Sequence, residues 1–123
     1  MEHTLTFPIG TFYIHNNYVK VVINEGETVN AESNQILVDI VEKYYVSKKF
    51  VYITHRINSY GVDTAVYKET SKIKNLVGFA VVSSKIAALF NAEIEKQFLN
   101  KPFETFTNLE DAIDWAESIV NSK

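Results

Sequence analysis

The chain has 123 residues, a net charge of −3 and no cysteine. That length fits one domain able to bury a core without staples. The missing cysteines exclude disulfides and thiolate zinc sites and agree with a reducing cytosol. Twelve basic and fifteen acidic residues are mixed along the chain without a basic block, which argues against a nucleic-acid partner. The first ten residues, MEHTLTFPIG, lack the basic region and long apolar segment of a secretory signal. The apolar run Leu76–Val82 is too short to cross a bilayer. These features predict a soluble, cytoplasmic protein with no transmembrane segment.

Leu5, Phe7 and Ile9 alternate with polar neighbours, and Pro8, which has no amide to donate, places this strand at a sheet edge. Phe12 and Ile14, then Val19, Val21 and Ile23, continue the alternation around Asn16-Asn17, a pair suited to a tight hairpin turn. Glu25-Gly26-Glu27 closes the hairpin. Asn30 is the expected N-cap of a first helix carrying Ile36, Leu37, Ile40, Val41 and Tyr44 on its inner face and ending near Val46.

Phe50, Val51, Tyr52 and Ile53 form a short run of aromatic and β-branched residues, apolar on both faces, as a strand covered on both sides requires. Polarity rises through Thr54, His55, Arg56, Asn58 and Ser59, and Gly61 can supply a turn with positive φ. Asp63 is placed to cap a second helix running through Thr64, Val66, Tyr67, Thr70 and Ile73. Leu76–Val82 is a second buried strand, with Gly78 marking a close backbone approach. Ser83 or Ser84 caps a third helix whose predicted inner stripe is Ile86, Leu89, Phe90, Ile94 and Phe98, and Asn100–Pro102 stops it. Phe103 and Phe106 define a last short strand. Asn108, with Asp111 three residues on, opens a terminal helix facing inward through Leu109, Ala112, Ile113, Ala116 and Val120. The expected architecture is α/β: a mixed, largely parallel sheet with an N-terminal antiparallel hairpin and about four helices, in one domain spanning residues 1–123.

Strand ends followed by helix starts are where open α/β sheets gather ligands. The candidate binding residues are therefore Arg56, Asn58, Ser59, Tyr60 and Gly61. His55-Arg56 has the charge to hold an anion, and the favoured competing assignment is that Arg56 is solvated or pairs with one of the fifteen acids. Catalytic motifs do not emerge. His3, His15 and His55 lack metal-ligand spacing. Ser59, Ser83 and Ser84 are outside any Gly-x-Ser-x-Gly, and the four glycines form no dinucleotide or phosphate-binding loop. Glu110-Asp111 complement a helix N-terminus. The chain thus reads as non-enzymatic, with no catalytic residue, metal or cofactor assigned.

The order of elements resembles the STAS domain, the fold of bacterial anti-sigma-factor antagonists, and more narrowly its SpoIIAA-like branch, often labelled STAS/SEC14. The residues that bear the resemblance are the strand–loop–helix of Phe50–Tyr67 and the ending Pro102-Phe103-Glu104-Thr105-Phe106 followed by Leu109–Trp115. In the regulatory members a Ser or Thr in an Asp-Ser-Ser-Gly context starts the helix after the central strand and is phosphorylated. Aligned on Gly61, the acceptor position here falls on Tyr60, Asn58 replaces the aspartate, and Ser59 is the one serine of the loop.

The resemblance implies a regulatory module that binds a protein partner through this loop, with Ser59 as phosphorylation candidate. A phosphate on Ser59 would gain from the free amides of the second helix and lose to Asp63, two effects of similar size. The alternative expectation, raised by the SEC14 half of the label, is a carrier for a lipid or other small apolar molecule. Its cavity would lie beside the sheet and be lined by residues such as Phe79, Phe90 and Tyr67.

Overall fold

Pro8 sets the first register. In the computed structural model, which describes residues 2–122, β1 (His3–Phe7) pairs antiparallel with β2 (Gly10–Ile14), Phe7 lying opposite Gly10. The expected strand through Ile9 ends at Phe7, because Pro8 cannot donate to a ladder and Pro8-Ile9 form the turn instead. A Cβ at Gly10 would press on the Val22 carbonyl oxygen and stand 2.9 Å from Ile23 Cα, so the strands cross closely there. β2 then pairs with β3 (Tyr18–Ile23), Ile14 opposite Val19, which is the hairpin anticipated around Asn16-Asn17.

The rest of the sheet is parallel: β3 pairs with β5 (Phe50–His55), β5 with β7 (Leu76–Val82), and β7 with β8 (Phe103–Phe106). The order is β1-β2-β3-β5-β7-β8. A second, two-stranded parallel sheet joins β4 (Thr28–Val29) to β6 (Gly61–Val62), a pairing too short to leave a periodic trace in the sequence. Four helices connect the strands: α1 (Asn34–Tyr44), α2 (Val66–Thr70), α3 (Ile86–Glu95) and α4 (Leu109–Val120), with a 3-10 turn Lys96–Phe98 after α3.

Two apolar layers sandwich the six-stranded sheet. On one face Phe12, Val21, Tyr52 and Phe79 pack with Leu37 and Ile40 of α1 and Val66 and Tyr67 of α2. On the other, Val51, Ile53, Ala80 and Val82 receive Ala112 and Ala116 of α4. Gly78 admits α4 as expected, since a Cβ there would meet Ile119 and stand 2.9 Å from Trp115 Cη2. Asn108 accepts from the Asp111 amide at 2.9 Å and donates to its carboxylate at 3.0 Å, closing the predicted cap.

Several local expectations need correction. α1 starts at Asn34, with Asn30 Oδ1 accepting from the Ser33 amide in the turn before it, and α3 starts after Lys85 with neither Ser83 nor Ser84 as its side-chain cap. Gly61 lies in β6 outside the left-handed region, whereas Gly26 takes it, with φ of 81°. The second helix is five residues long rather than a run from Thr64 to Ile73. Threonines at both ends propagate helix poorly, and Asp63 accepts from the Ala65 amide at 3.0 Å in a local turn.

The largest correction concerns the packed face of the third helix. α3 buries Ala92 and Glu95, while Ile86, Phe90, Ile94 and Phe98 of the expected inner stripe are exposed. The physical reason is that Glu95 is held inside by charged and hydroxyl partners. Ala92 and Glu95 therefore define the packed face, and the larger residues turn outward.

Candidate binding site

The loop after β5 is fastened at almost every residue. Asn58 Nδ2 donates to the Ile23 carbonyl at 2.9 Å and the Ser59 amide to Glu25 Oε1 at 2.8 Å. The Gly26 amide donates to the Ser59 carbonyl at 2.8 Å, and the Gly61 and Asp63 amides donate to the carbonyls of Glu27 and Val29 at 2.9 and 2.8 Å. These bonds zip the loop against residues 23–29, and the small sheet β4–β6 is their continuation. The Ser59 side chain is exposed, with the Glu25 carboxylate on its own amide rather than the start of α2. Tyr60 turns inward, half-buried, and its hydroxyl shares a 2.7 Å hydrogen bond with Thr54 Oγ1.

Arg56, the first residue past β5, is 8% exposed. Its Nη1 and Nη2 donate to the two carboxylate oxygens of Glu95 at 2.7 and 2.5 Å, a two-pronged pair between the end of β5 and the inner face of α3. The Tyr67 hydroxyl donates to the same carboxylate from α2. The Tyr60 ring lies 5.4 Å from the guanidinium carbon, close enough for a cation–π contact. Burial works to lower the Arg56 pKa, but the hydrogen bonds and charge of Glu95 outweigh it and hold it above its ordinary value. Burial raises the Tyr67 hydroxyl, and the neighbouring Glu95 carboxylate adds to the effect. Tyr52 is likewise raised, chiefly by burial. The acid that partners Arg56 is therefore Glu95, and the Tyr52 and Tyr67 phenols stay neutral donors or acceptors.

Between this cluster and the helices lies a cavity. Tyr52 and Phe79 from the sheet and Leu37, Val66 and Tyr67 from the helices form its apolar wall. Arg56, Tyr60 and Thr54 reach it as one polar group, and Asn34 and Thr70, joined by a 2.8 Å hydrogen bond, as another. The space open to the centre of a water-sized sphere is about 40 Å³, against roughly 10–15 Å³ for a single water. Phe79 and Tyr67 line it as a carrier would require. Phe90 lies on the exposed side of α3 and does not. Among the described residues, no group of three His, Asp or Glu side chains converges to hold a metal. Nor is any helix long and apolar enough to cross a membrane.

No family profile matches the sequence, and no curated protein matches it. Among solved structures, the chain is similar to an uncharacterized protein of the DUF3478 family with a SpoIIAA-like fold from Shewanella loihica PV-4. The TM-score is 0.53 at 14% identity, over 94% of this chain and 92% of the other. The fold is SpoIIAA-like. At that identity the likeness speaks for the architecture alone.

Within this SpoIIAA-like frame, the loop leaving β5 delivers Arg56 and Tyr60 to the cavity, whereas Asn58, Ser59 and Gly61 lie along the seam with residues 23–29. Glu95 and Tyr67 were not singled out as polar site residues from the sequence. A glutamate flanked by Ile94 and Lys96 on an amphipathic helix looks solvated. The available signal was the spacing Ala88, Ala92, Glu95 and Leu99, a second and narrower stripe of small and apolar residues that includes one acid.

Proposed function

We propose that the protein is a non-enzymatic interaction module whose docking face is the outer side of α3, beside the start of the β5–α2 loop. The observation that supports this most is the row Ile86, Phe90 and Ile94, four residues apart on one side of the helix and exposed at 85%, 69% and 47%. Three large apolar side chains aligned on an exposed helix form a contiguous face of the kind that other proteins cover. Ile57, also exposed, directly follows Arg56, which Glu95 ties to α3, so the loop begins against this helix. A binding role over catalysis is supported by the engagement of the one buried carboxylate: Arg56 holds both Glu95 oxygens, and the Tyr60 hydroxyl is bonded to Thr54.

The partner that fits is a protein with an apolar groove and an acidic rim. Exposed Lys85 and Lys96 bracket the row, with Glu93 as the opposing exposed acid. A membrane surface fits less well, because α3 has ten residues and a chain of net charge −3 is repelled by anionic lipid. A photo-crosslinking residue at position 90 tests the reading in cells. The expected product is a covalent adduct with a protein, lost when Ile86→Ser and Ile94→Ser are added. Adducts with lipid alone, or none, would refute it. The same crosslink in a Ser59→Asp background measures the loop's share: regulation through Ser59 requires the adduct to weaken.

A second reading, a small-molecule carrier, is favoured by the cavity beside Tyr52, Phe79 and Tyr67.

A further inference from the structure

Arg56 is the sole arginine of the chain, and its guanidinium is satisfied on one side only. Nη1 and Nη2 donate to Glu95, while Nε is buried and meets no acceptor in hydrogen-bond geometry among the described residues. The side chain that carries this unmet donor lines the cavity. A buried N–H on a charged group is costly to leave unpaired, more so than a neutral one. An apolar wall that includes a side chain with one spare strong donor is the combination that orients a small ligand by a single polar atom.

Resting on the carrier reading, we propose that the cavity binds a small uncharged molecule with an apolar body and one oxygen acceptor, such as a ketone, amide or alcohol, whose oxygen accepts from Arg56 Nε. The absence of charge follows from Glu95. Its carboxylate already balances the guanidinium at 2.5 and 2.7 Å. A carboxylate or phosphate entering the same space would lose its water without finding a free cation, and would lie near Glu95 itself. The chemistry therefore selects against fatty acids and other anionic amphiphiles, the ligands that a lone arginine would otherwise suggest. A purely hydrocarbon ligand would leave Nε as it is. The size is modest: a space of about 40 Å³ for the centre of a water-sized sphere suits a small ring or a short chain.

The test uses three probes of similar shape: benzylacetone with a neutral carbonyl, butylbenzene with no acceptor, and hydrocinnamate with a carboxylate. Because the chain has one arginine, the Nε–H signal of the isotope-labelled protein assigns itself in an NMR spectrum, and the methyl signals of Leu37, Val62 and Val66 report occupancy of the cavity. Benzylacetone is expected to move both sets of signals and to bind about tenfold more tightly than butylbenzene, the ratio for one added hydrogen bond to a charged donor. Hydrocinnamate at neutral pH is expected to bind at least about tenfold more weakly than benzylacetone. If butylbenzene binds equally well and Nε–H does not move, the acceptor inference fails while the carrier reading stands. Tightest binding by hydrocinnamate would also overturn the inference, pointing to an anion site. If no probe perturbs the methyl signals, the cavity holds only water and both the inference and the carrier reading fall.

Discussion

The Arg56–Glu95 pair gives the sharpest quantitative test of the structure. Both side chains are 8% exposed, and the guanidinium and carboxylate meet at 2.5 and 2.7 Å. Replacing Glu95 by Leu leaves a buried guanidinium without a counter-charge, and replacing Arg56 by Met leaves a buried carboxylate with Tyr67 as its remaining donor. Breaking a buried pair from either side costs about 3–5 kcal/mol. Making both changes removes both charges and leaves side chains of comparable volume. Its expected cost is about 1–2 kcal/mol, mainly the lost partner of the Tyr67 hydroxyl. The four proteins form a double-mutant cycle with a coupling energy of several kcal/mol. Urea unfolding followed by far-ultraviolet circular dichroism measures each stability, with the slope checked for constancy. Additive losses, with the double variant as unstable as the two singles combined, would refute the buried-pair reasoning. So would single costs below about 1 kcal/mol, the range of an exposed pair.

Other expectations are simpler. Phe90→Ser should leave stability within about 0.5 kcal/mol of the wild type, whereas Phe79→Ala in the core should cost about 3–5 kcal/mol; thermal unfolding of the two separates an exposed stripe from a buried one. His55 titrates below its ordinary value of 6.5, first because of burial and then because of Lys20. Its folded state prefers the neutral ring, so its contribution is complete above pH 6.5 and declines as pH falls from there through the lowered value. His55→Gln should flatten that part of the stability–pH curve, and an unchanged slope relative to wild type would contradict it. Gly10→Ala should destabilise by about 2 kcal/mol or more, since its Cβ meets the β3 backbone, and denaturant titration shows the loss directly.

Most of the frame could be read from patterns of period two, continuous apolar runs and one clear cap. Phe50–Ile53 and Leu76–Val82 are continuous apolar runs because both sheet faces are covered, and Asn108 with Asp111 fixes the last helix. Periodicity failed where one side chain overrode it. On α3 the larger hydrophobic stripe is the wrong one, since Glu95 is anchored by Arg56, 39 positions away in sequence, and Tyr67. No local rule reveals such a partner. Similarly, Tyr60 reads as a loop residue, but its hydroxyl finds Thr54 on β5 and its ring turns into the cavity. The pairing of β4 with β6 is two residues long and joins segments that have no pattern of their own.

An ion pair in place of two apolar residues is seldom the more stable choice, so its value here lies in orientation. α3 carries apolar side chains on both sides: Ala92 with Leu89 partly inward, and Ile86, Phe90 and Ile94 outward. By area alone, the larger residues would gain more from facing the sheet. Glu95 prevents that rotation, because turning α3 over would strand its carboxylate and the Arg56 guanidinium together. The pair therefore keeps Phe90 outside. In the Arg56→Met, Glu95→Leu double variant the restraint is gone while most stability remains, so α3 is expected to populate the turned orientation. The chain has no cysteine, and Phe90→Cys supplies a single thiol to follow this. Thiol-labelling should be fast in the otherwise wild-type protein and slowed several-fold in the double variant. Equal rates in the two backgrounds would show that the orientation of α3 is set by its shape and not by its buried charge.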